Sequence, residues 1–186
     1  MSIPAEHKQG AKSAGTKAST DSGNQYDQLD KVFLKYLSDV GLASNNAVVA
    51  VGSVVSSFPE AIDNHLLMVQ IIKKGVTYHL FEEIQKLSSL TGKDWADILN
   101  ISPRSLQRYK DQNQLFKPIQ SEKILELGEL FLLGNEVFGD AEKFKLWLET
   151  PNFALGKMRP SSLLSDSYGQ DLVVGELNRI SHGILA

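Results

Sequence analysis

One short run concentrates the residues whose types and spacing suit chemistry: Ser102-Pro103-Arg104-Ser105-Leu106-Gln107-Arg108-Tyr109-Lys110. A serine before a proline opens a helix well, because the hydroxyl accepts from a free backbone N–H and the missing proline N–H costs nothing in the first turn. The helix predicted over 103–111 turns Arg104, Ser105, Gln107, Arg108 and Lys110 outward, with Ser102 at its mouth. Guanidinium groups fork onto guanine N7 and O6, glutamine pairs with adenine, and hydroxyl and ammonium groups hold phosphate oxygens. That set offers recognition of a DNA groove. Arg104, Arg108, Lys110 and Lys117 face a single acid, Asp111, between 104 and 117, so the local field is positive. The plainer alternative is a solvated helix whose charges meet only water.

A reading helix needs a second helix to hold it, and residues 92–101 meet the geometric requirements. Ala96 is the small residue at which one helix crosses the other. Asn100 takes the turn position usually given to glycine, which asparagine fills because it tolerates the left-handed region. Ile98 or Leu99, Ile101, Leu106 and Tyr109 supply the apolar brace.

Catalysis finds less support. His7, His65, His79 and His182 are scattered, no HExxH or glycine-rich phosphate loop is present, and no carboxylate pair stands out. His182 at a helix end suits a dipole partner better than a general base. The chain has no cysteine, which removes disulfides, thiolate zinc sites and cysteine nucleophiles together. The expectation is a non-enzymatic protein with no metal and no cofactor, in a reducing compartment such as the cytoplasm. The formal net charge is -3, so contact with nucleic acid must come from a local patch. No stretch approaches the roughly 20 apolar residues of a spanning helix, and the lysine-bearing N-terminus lacks the apolar core of a signal peptide, so neither export by that route nor membrane insertion is expected.

The surrounding pattern says what must position these groups. Residues 1–24 are rich in Ser, Gly, Ala, Thr and Lys and read as a flexible tail. Tyr26, Leu29, Val32, Phe33, Tyr36, Leu37 and Val40 recur at helical spacing before Gly41. Residues 47–58 have no clear period; helix is preferred there over buried strand. Pro59-Glu60 opens a helix, and the apolar run 66–72 ends at Lys73-Lys74-Gly75. Phe81, Ile84, Leu87, Ser88 and Leu90 or Thr91 predict a helix that Gly92 closes. The expected regions are a tail over 1–24, a helical region over 25–75, the helix-turn-helix over 76–120 and a C-terminal domain over 121–186.

In that last region, residues 121–138 are apolar on more than one helical face, which reads as a core helix alone or as a core helix that also serves an interface. Gly139-Asp140 breaks and recaps the chain, Phe144, Trp147 and Leu148 line a short helix, and Thr150-Pro151-Asn152 ends it. A loop leads to a turn opened by Pro160. The final helix starts near Asp166 or Ser167, shows Val173, Leu177, Ile180 and Ile184 at helical spacing, and ends at Gly183.

Read in order, Val137-Phe138-Gly139-Asp140, Trp147-Leu148, Thr150-Pro151-Asn152, Ala154-Leu155-Gly156, Pro160, Leu163-Leu164, Gly169, Val173, Leu177, Arg179-Ile180, His182-Gly183 and Ala186 resemble the toxin-binding domain of the Xre/ParS-type antitoxins. With the helix-turn-helix and Lys74-Gly75-Val76 before it, the resemblance covers more than half of the chain; residues 1–65 are outside it. It implies an all-α fold, an Xre-like helix-turn-helix followed by a small helical toxin-binding domain. It also implies a toxin encoded beside it, commonly of the RES type that consumes NAD or transfers ADP-ribose, blocked when the C-terminal domain covers its active-site cleft. Autorepression of the shared operon is implied as well. Arg159 departs from the family, which tends to a small or hydroxylated residue before this proline, and weakens the expected cap.

Candidate toxin contacts are Trp147, Pro151, Asn152, Leu155 and Arg159, for which domain architecture is the alternative. Arg179 and His182, with the apolar tail Ile184-Leu185-Ala186, could enter a partner's groove; the alternative is a frayed terminus with a capping arginine. Two copies reading an inverted repeat are expected, because one such module buries little surface. Two other readings stay open: an Xre-like transcriptional regulator whose C-terminal domain only dimerises, and a protein-binding immunity module whose helix-turn-helix is vestigial.

Overall fold

One long helix organises the molecule. In the computed structural model, which describes residues 22–43, 48–50 and 53–183, Pro118–Phe138 form a 21-residue helix, roughly 30 Å at 1.5 Å per residue. Ile124, Leu125, Leu127, Leu130 and Phe131 are all buried along it, so it is covered on several sides as its wide apolar surface predicts.

In chain order the elements are α1 (Ser22–Asp39), the strands β1 (Val48–Ala50) and β2 (Ser53–Val55), α2 (Phe58–Ile62), α3 (His65–Lys74), α4 (Tyr78–Gln85), α5 (Gly92–Ile98), α6 (Pro103–Gln112), α7 (Pro118–Phe138), α8 (Ala141–Glu149), a 3-10 turn over Pro160–Leu163, and α9 (Ser167–Ser181). The helices α2, α3 and α4 pack on α7, and so do α8 and α9, so one hydrophobic cluster runs through both halves. The fold is all-α apart from the two short strands.

Those strands correct one expectation. Residues 47–58 were expected to be helical, yet β1 and β2 pair antiparallel with Val48 opposite Val55 and Ala50 opposite Ser53. The segment is rich in valine, whose branched Cβ loses χ1 freedom in a helix and suits an extended chain. A second correction concerns Gly92. The helix through Phe81 and Ile84 stops at Gln85, where the Ser88 hydroxyl donates to the Gln85 carbonyl at 3.3 Å and accepts from Leu90 N at 3.3 Å. Such local side-chain bonds compete with continuation of a helix. Leu87 and Leu90 stay buried all the same, which is why their spacing looks helical. Gly92 opens α5, and Thr91 caps it in a reciprocal box with Asp94. Helix α1 begins at Ser22, inside the segment read as tail; residues 1–21 lie outside the described residues.

Long-range polar bonds hold the first helices in place. Asp30 of α1 accepts from Phe58 N at 2.8 Å, and the Phe33 and Phe58 rings meet edge-on at 5.3 Å. The Tyr36 hydroxyl, pushed above its ordinary range by burial, donates to the Gly75 carbonyl at 2.9 Å. Gly75 has φ 94, and a Cβ there would overlap the Phe116 carbonyl, so the close approach and the backbone angle each require glycine. Around it, Phe116 N donates to Val76 O at 2.8 Å, and the buried Ser121 hydroxyl accepts from Val76 N at 2.9 Å and donates to Phe116 O at 3.2 Å. This knot joins the start of α7 to the entry of α4.

Candidate functional site

The α5–α6 unit is assembled from local rules. Asn100 sits at φ 52 in the turn, as expected of an asparagine taking glycine's place. Ile101 N donates to Ala96 O at 3.0 Å, which folds the turn back onto the fully buried Ala96. The Ser102 hydroxyl accepts from Ser105 N at 3.0 Å, and Pro103 is the first residue of α6. At the far end, Asn113 adopts φ 42 and its carboxamide oxygen accepts from His79 N at 3.0 Å, tying α6 to the start of α4.

Aromatic packing makes the unit rigid. Trp95 is fully buried, 5.0 Å from the Phe81 ring and 6.0 Å from Phe131 of α7. Tyr109 stacks on Phe116 at 4.4 Å. Leu106 and Tyr109 therefore face inward, leaving Arg104, Gln107 and Arg108 exposed on the opposite side of α6. Gln107 is held by its amide's donation to Asp111 at 2.7 Å.

Four of the six sequence-predicted DNA contacts already have a partner within the chain, Gln107 through Asp111 among them. The hydroxyls of Ser102 and Ser105 lie 2.9 Å apart within the cap. Lys110 turns back toward α4, 3.3 Å from Glu82 and 5.9 Å from the centre of the Tyr78 ring. Its ammonium is held above the ordinary lysine range by the Glu82 hydrogen bond first, with the Tyr78 and Glu82 charges adding to it. The pattern did not reveal Lys123 of α7, whose ammonium donates to the Ile98 carbonyl at 3.1 Å and so caps the end of α5.

The C-terminal candidates also separate. Trp147 is half-buried, against Phe138 at 5.6 Å and Phe144 at 6.1 Å, and Leu155 is buried; both belong to the packing. Asn152 knots the loop: its N–H donates to Met158 O at 2.9 Å, and its side-chain oxygen accepts from Ala154 N at 2.8 Å. Pro151 and Arg159 are exposed, and the Arg159 guanidinium lies 4.0 Å from Glu149. Arg159 makes no side-chain cap on the 3-10 turn; the Ser162 hydroxyl donates to the Arg159 carbonyl at 2.7 Å instead. Arg179 pairs with Glu176 on its own helix at 3.0 Å, and His182 Nδ1 lies 2.6 Å from Asn178 O at the helix end. Ile184, Leu185 and Ala186 lie outside the described residues.

Large apolar side chains that sequence reasoning passed over stand in solvent on this half. Phe153 is 80% exposed, Leu146 69%, Tyr168 84% and Leu172 55%. Tyr168 and Leu172 are four apart on α9, whose first turn is pinned by Asp166 accepting from Gly169 N at 2.9 Å. A Cβ at Gly169 would overlap the Leu163 carbonyl, so α9 meets the 3-10 turn backbone to backbone. Along α7 the carboxylates Glu122, Glu126 and Glu129 are exposed on one face. Glu126 is held above the usual carboxylate range by desolvation, then by Glu122, with Glu129 and Asp171 adding to it against the opposing pull of Lys123.

The fold and these surfaces define a helix-turn-helix protein with a second helical unit seated on the same long helix. The chain matches the family model of the antitoxin Xre-like helix-turn-helix domain over residues 68–128 and that of the antitoxin Xre/MbcA/ParS C-terminal toxin-binding domain over residues 133–183. It belongs to the Xre-type antitoxins of toxin–antitoxin systems. The two matched regions adjoin within α7. A relative, "Antitoxin Xre" of Yersinia enterocolitica serotype O:8 / biotype 1B (strain NCTC 13174 / 8081), is 28% identical over 121 residues, 64% of this chain and 82% of that protein. A chain in the crystal structure of the M. tuberculosis MbcT-MbcA toxin-antitoxin complex is 24% identical with a TM-score of 0.45, covering 55% of this chain and 90% of that one. Among the described residues no helix is long and apolar enough to cross a membrane.

Proposed function

We propose that this antitoxin acts by binding and not by catalysis, neutralising a RES-type toxin that consumes NAD or transfers ADP-ribose. Its C-terminal domain covers the toxin's active-site cleft. The same chain represses the operon that encodes the pair, with the α5–α6 units of two copies reading an inverted repeat. The observation that supports this reading is helix α7, which holds the α5–α6 unit with its outward Arg104-Gln107-Arg108 surface through Phe131 against Trp95 and Lys123 on the Ile98 carbonyl, and on which the toxin-binding family domain begins. A rigid connection of that kind suits a protein that must answer to both DNA and toxin. Arg104 and Arg108 are the proposed base or phosphate contacts, with Gln107 between them. Exposed Leu66 and Val69 of α3, with Leu115 just before α7 and Ile119 in its first turn, are candidates for pairing of the two copies.

The test is co-expression with the product of the adjoining gene. The full chain should form a complex with it and restore growth, and a chain ending at Pro160 should do neither. A mobility shift on the operon's own upstream DNA should be lost in Arg104→Ala with Arg108→Ala while complex formation persists. Absence of any complex, with the upstream DNA still bound, would instead favour a regulator without a toxin.

A further inference from the structure

We infer that the face of α9 presenting Tyr168 and Leu172, rimmed by Asp171 and Glu126, is the surface that seats in a positively charged, apolar-lined cleft of the toxin. The inference rests on the reading of the chain as a cleft-covering antitoxin and names where and by what chemistry the covering happens. Its first ground is the apolar ridge. Tyr168 and Leu172 lie one helical turn apart, 84% and 55% exposed. Among the described residues the Tyr168 side chain has neither a ring partner nor a hydrogen-bond partner. A rigid aromatic that is apolar in body and polar at its tip, held ready on a helix, is the type of side chain that anchors interfaces.

The second ground is charge. Asp171 lies between the two apolar residues in sequence and close enough to Glu126 of α7 to raise its carboxyl. Glu122, Glu126, Glu129 and Asp171 form no ion pair among the described residues, and Lys123, the cation among them, is committed to the Ile98 carbonyl. Of the other cations on this half, Lys145 pairs with Glu142, Arg159 with Glu149 and Arg179 with Glu176, while Lys143 of α8 and Lys157 of the loop before the 3-10 turn, neither on α7 nor on α9, form no ion pair among the described residues. The carboxylates beside the ridge therefore outnumber the one cation among them and are held by no ion pair.

Complementarity then selects the occupant. A cleft built for the pyrophosphate of a nucleotide is lined by arginines, lysines or helix N-termini, and a protein surface that seals it gains by presenting carboxylates. A second copy of this chain is disfavoured as occupant, because two such faces would bring like charges together. The contact differs in sign from one built on Arg159, Arg179 and His182: Arg159 and Arg179 are paired and His182 lies against its own helix end, whereas the carboxylates beside the ridge have no ion-pair partner.

The test uses the full chain and the product of the adjoining gene, with Tyr168→Ala and the pair Glu126→Lys with Asp171→Lys. These side chains are exposed, so both variants should keep the far-UV circular dichroism and the operator binding of the parent. Affinity for the partner should fall about tenfold or more in Tyr168→Ala. The charge reversal should weaken it further and abolish its salt dependence, while the parent complex weakens between about 50 and 300 mM salt. Partner binding by both variants within about twofold of the parent, or a parent complex indifferent to salt, overturns the inference and leaves the antitoxin reading standing. A parent chain that forms no complex with that product removes the reading and the inference together.

Discussion

Replacing Ser121 by alanine removes one small hydroxyl from the joint between the two halves, and its cost can be worked from the bonds it makes. Ser121 is fully buried. Its hydroxyl accepts from Val76 N at 2.9 Å and donates to Phe116 O at 3.2 Å, across 45 and 5 residues of sequence. Alanine leaves the Val76 N–H buried without an acceptor, a loss of about 1–3 kcal/mol, and removes a net gain of about 1 kcal/mol at the Phe116 carbonyl. The vacated volume is too small to admit a well-bonded water, so no replacement partner offsets the loss. The expected destabilisation is about 2–4 kcal/mol, read as a lower urea midpoint at constant slope in circular dichroism, or as a melting temperature lower by about 5–15 °C. Ser121→Cys, which keeps a weak donor and acceptor of similar shape, should recover part of the loss. A change in Ser121→Ala below about 0.5 kcal/mol would refute the argument that this hydroxyl is what satisfies the joint.

Three further outcomes follow from particular contacts. Asn100→Ala should cost roughly 1 kcal/mol because alanine resists φ 52, whereas Asn100→Gly should be neutral or better; thermal melts of the two variants check the sign. Glu82→Gln releases Lys110 from its ion pair, so affinity for the upstream DNA should rise a few-fold and the salt slope of binding should steepen by about one; an unchanged slope shows that Lys110 meets no phosphate. Glu126 has its folded carboxyl raised above the unfolded value of 4.5, so the folded chain binds the proton more tightly and stability falls as pH rises through that window. Glu126→Gln should therefore be more stable than the parent at neutral pH, with the advantage gone below about pH 4.5, where both states carry a neutral side chain; denaturant midpoints at the two pH values decide it.

Much of the backbone was legible without coordinates where the deciding chemistry is local. The cap at Ser102-Pro103, the left-handed turns at Asn100, Gly41, Gly139 and Gly183, and the halt of α8 before Pro151 each depend on a residue and its near neighbours. Where two local preferences compete, sequence spacing misleads. Val48, Val49, Val54 and Val55 went to two paired strands. The spacing through Leu87 and Leu90 continues past the true end of α4, because burial survives a turn while the hydrogen-bond ladder does not.

By itself the sequence determined the helical class, the pairing of α5 with α6, the outward side of Arg104 and Arg108, and the order of family motifs along the last third. Only the tertiary structure decided which charges are free. Lys110 is claimed by Glu82 and Lys123 by Ile98, while Tyr168, Leu172 and the carboxylates around them are left facing water. A helical period says which residues share a face. What that face meets is set by partners from other helices, up to 28 residues away for Lys110, through Coulomb and packing forces that act through space and not along the chain.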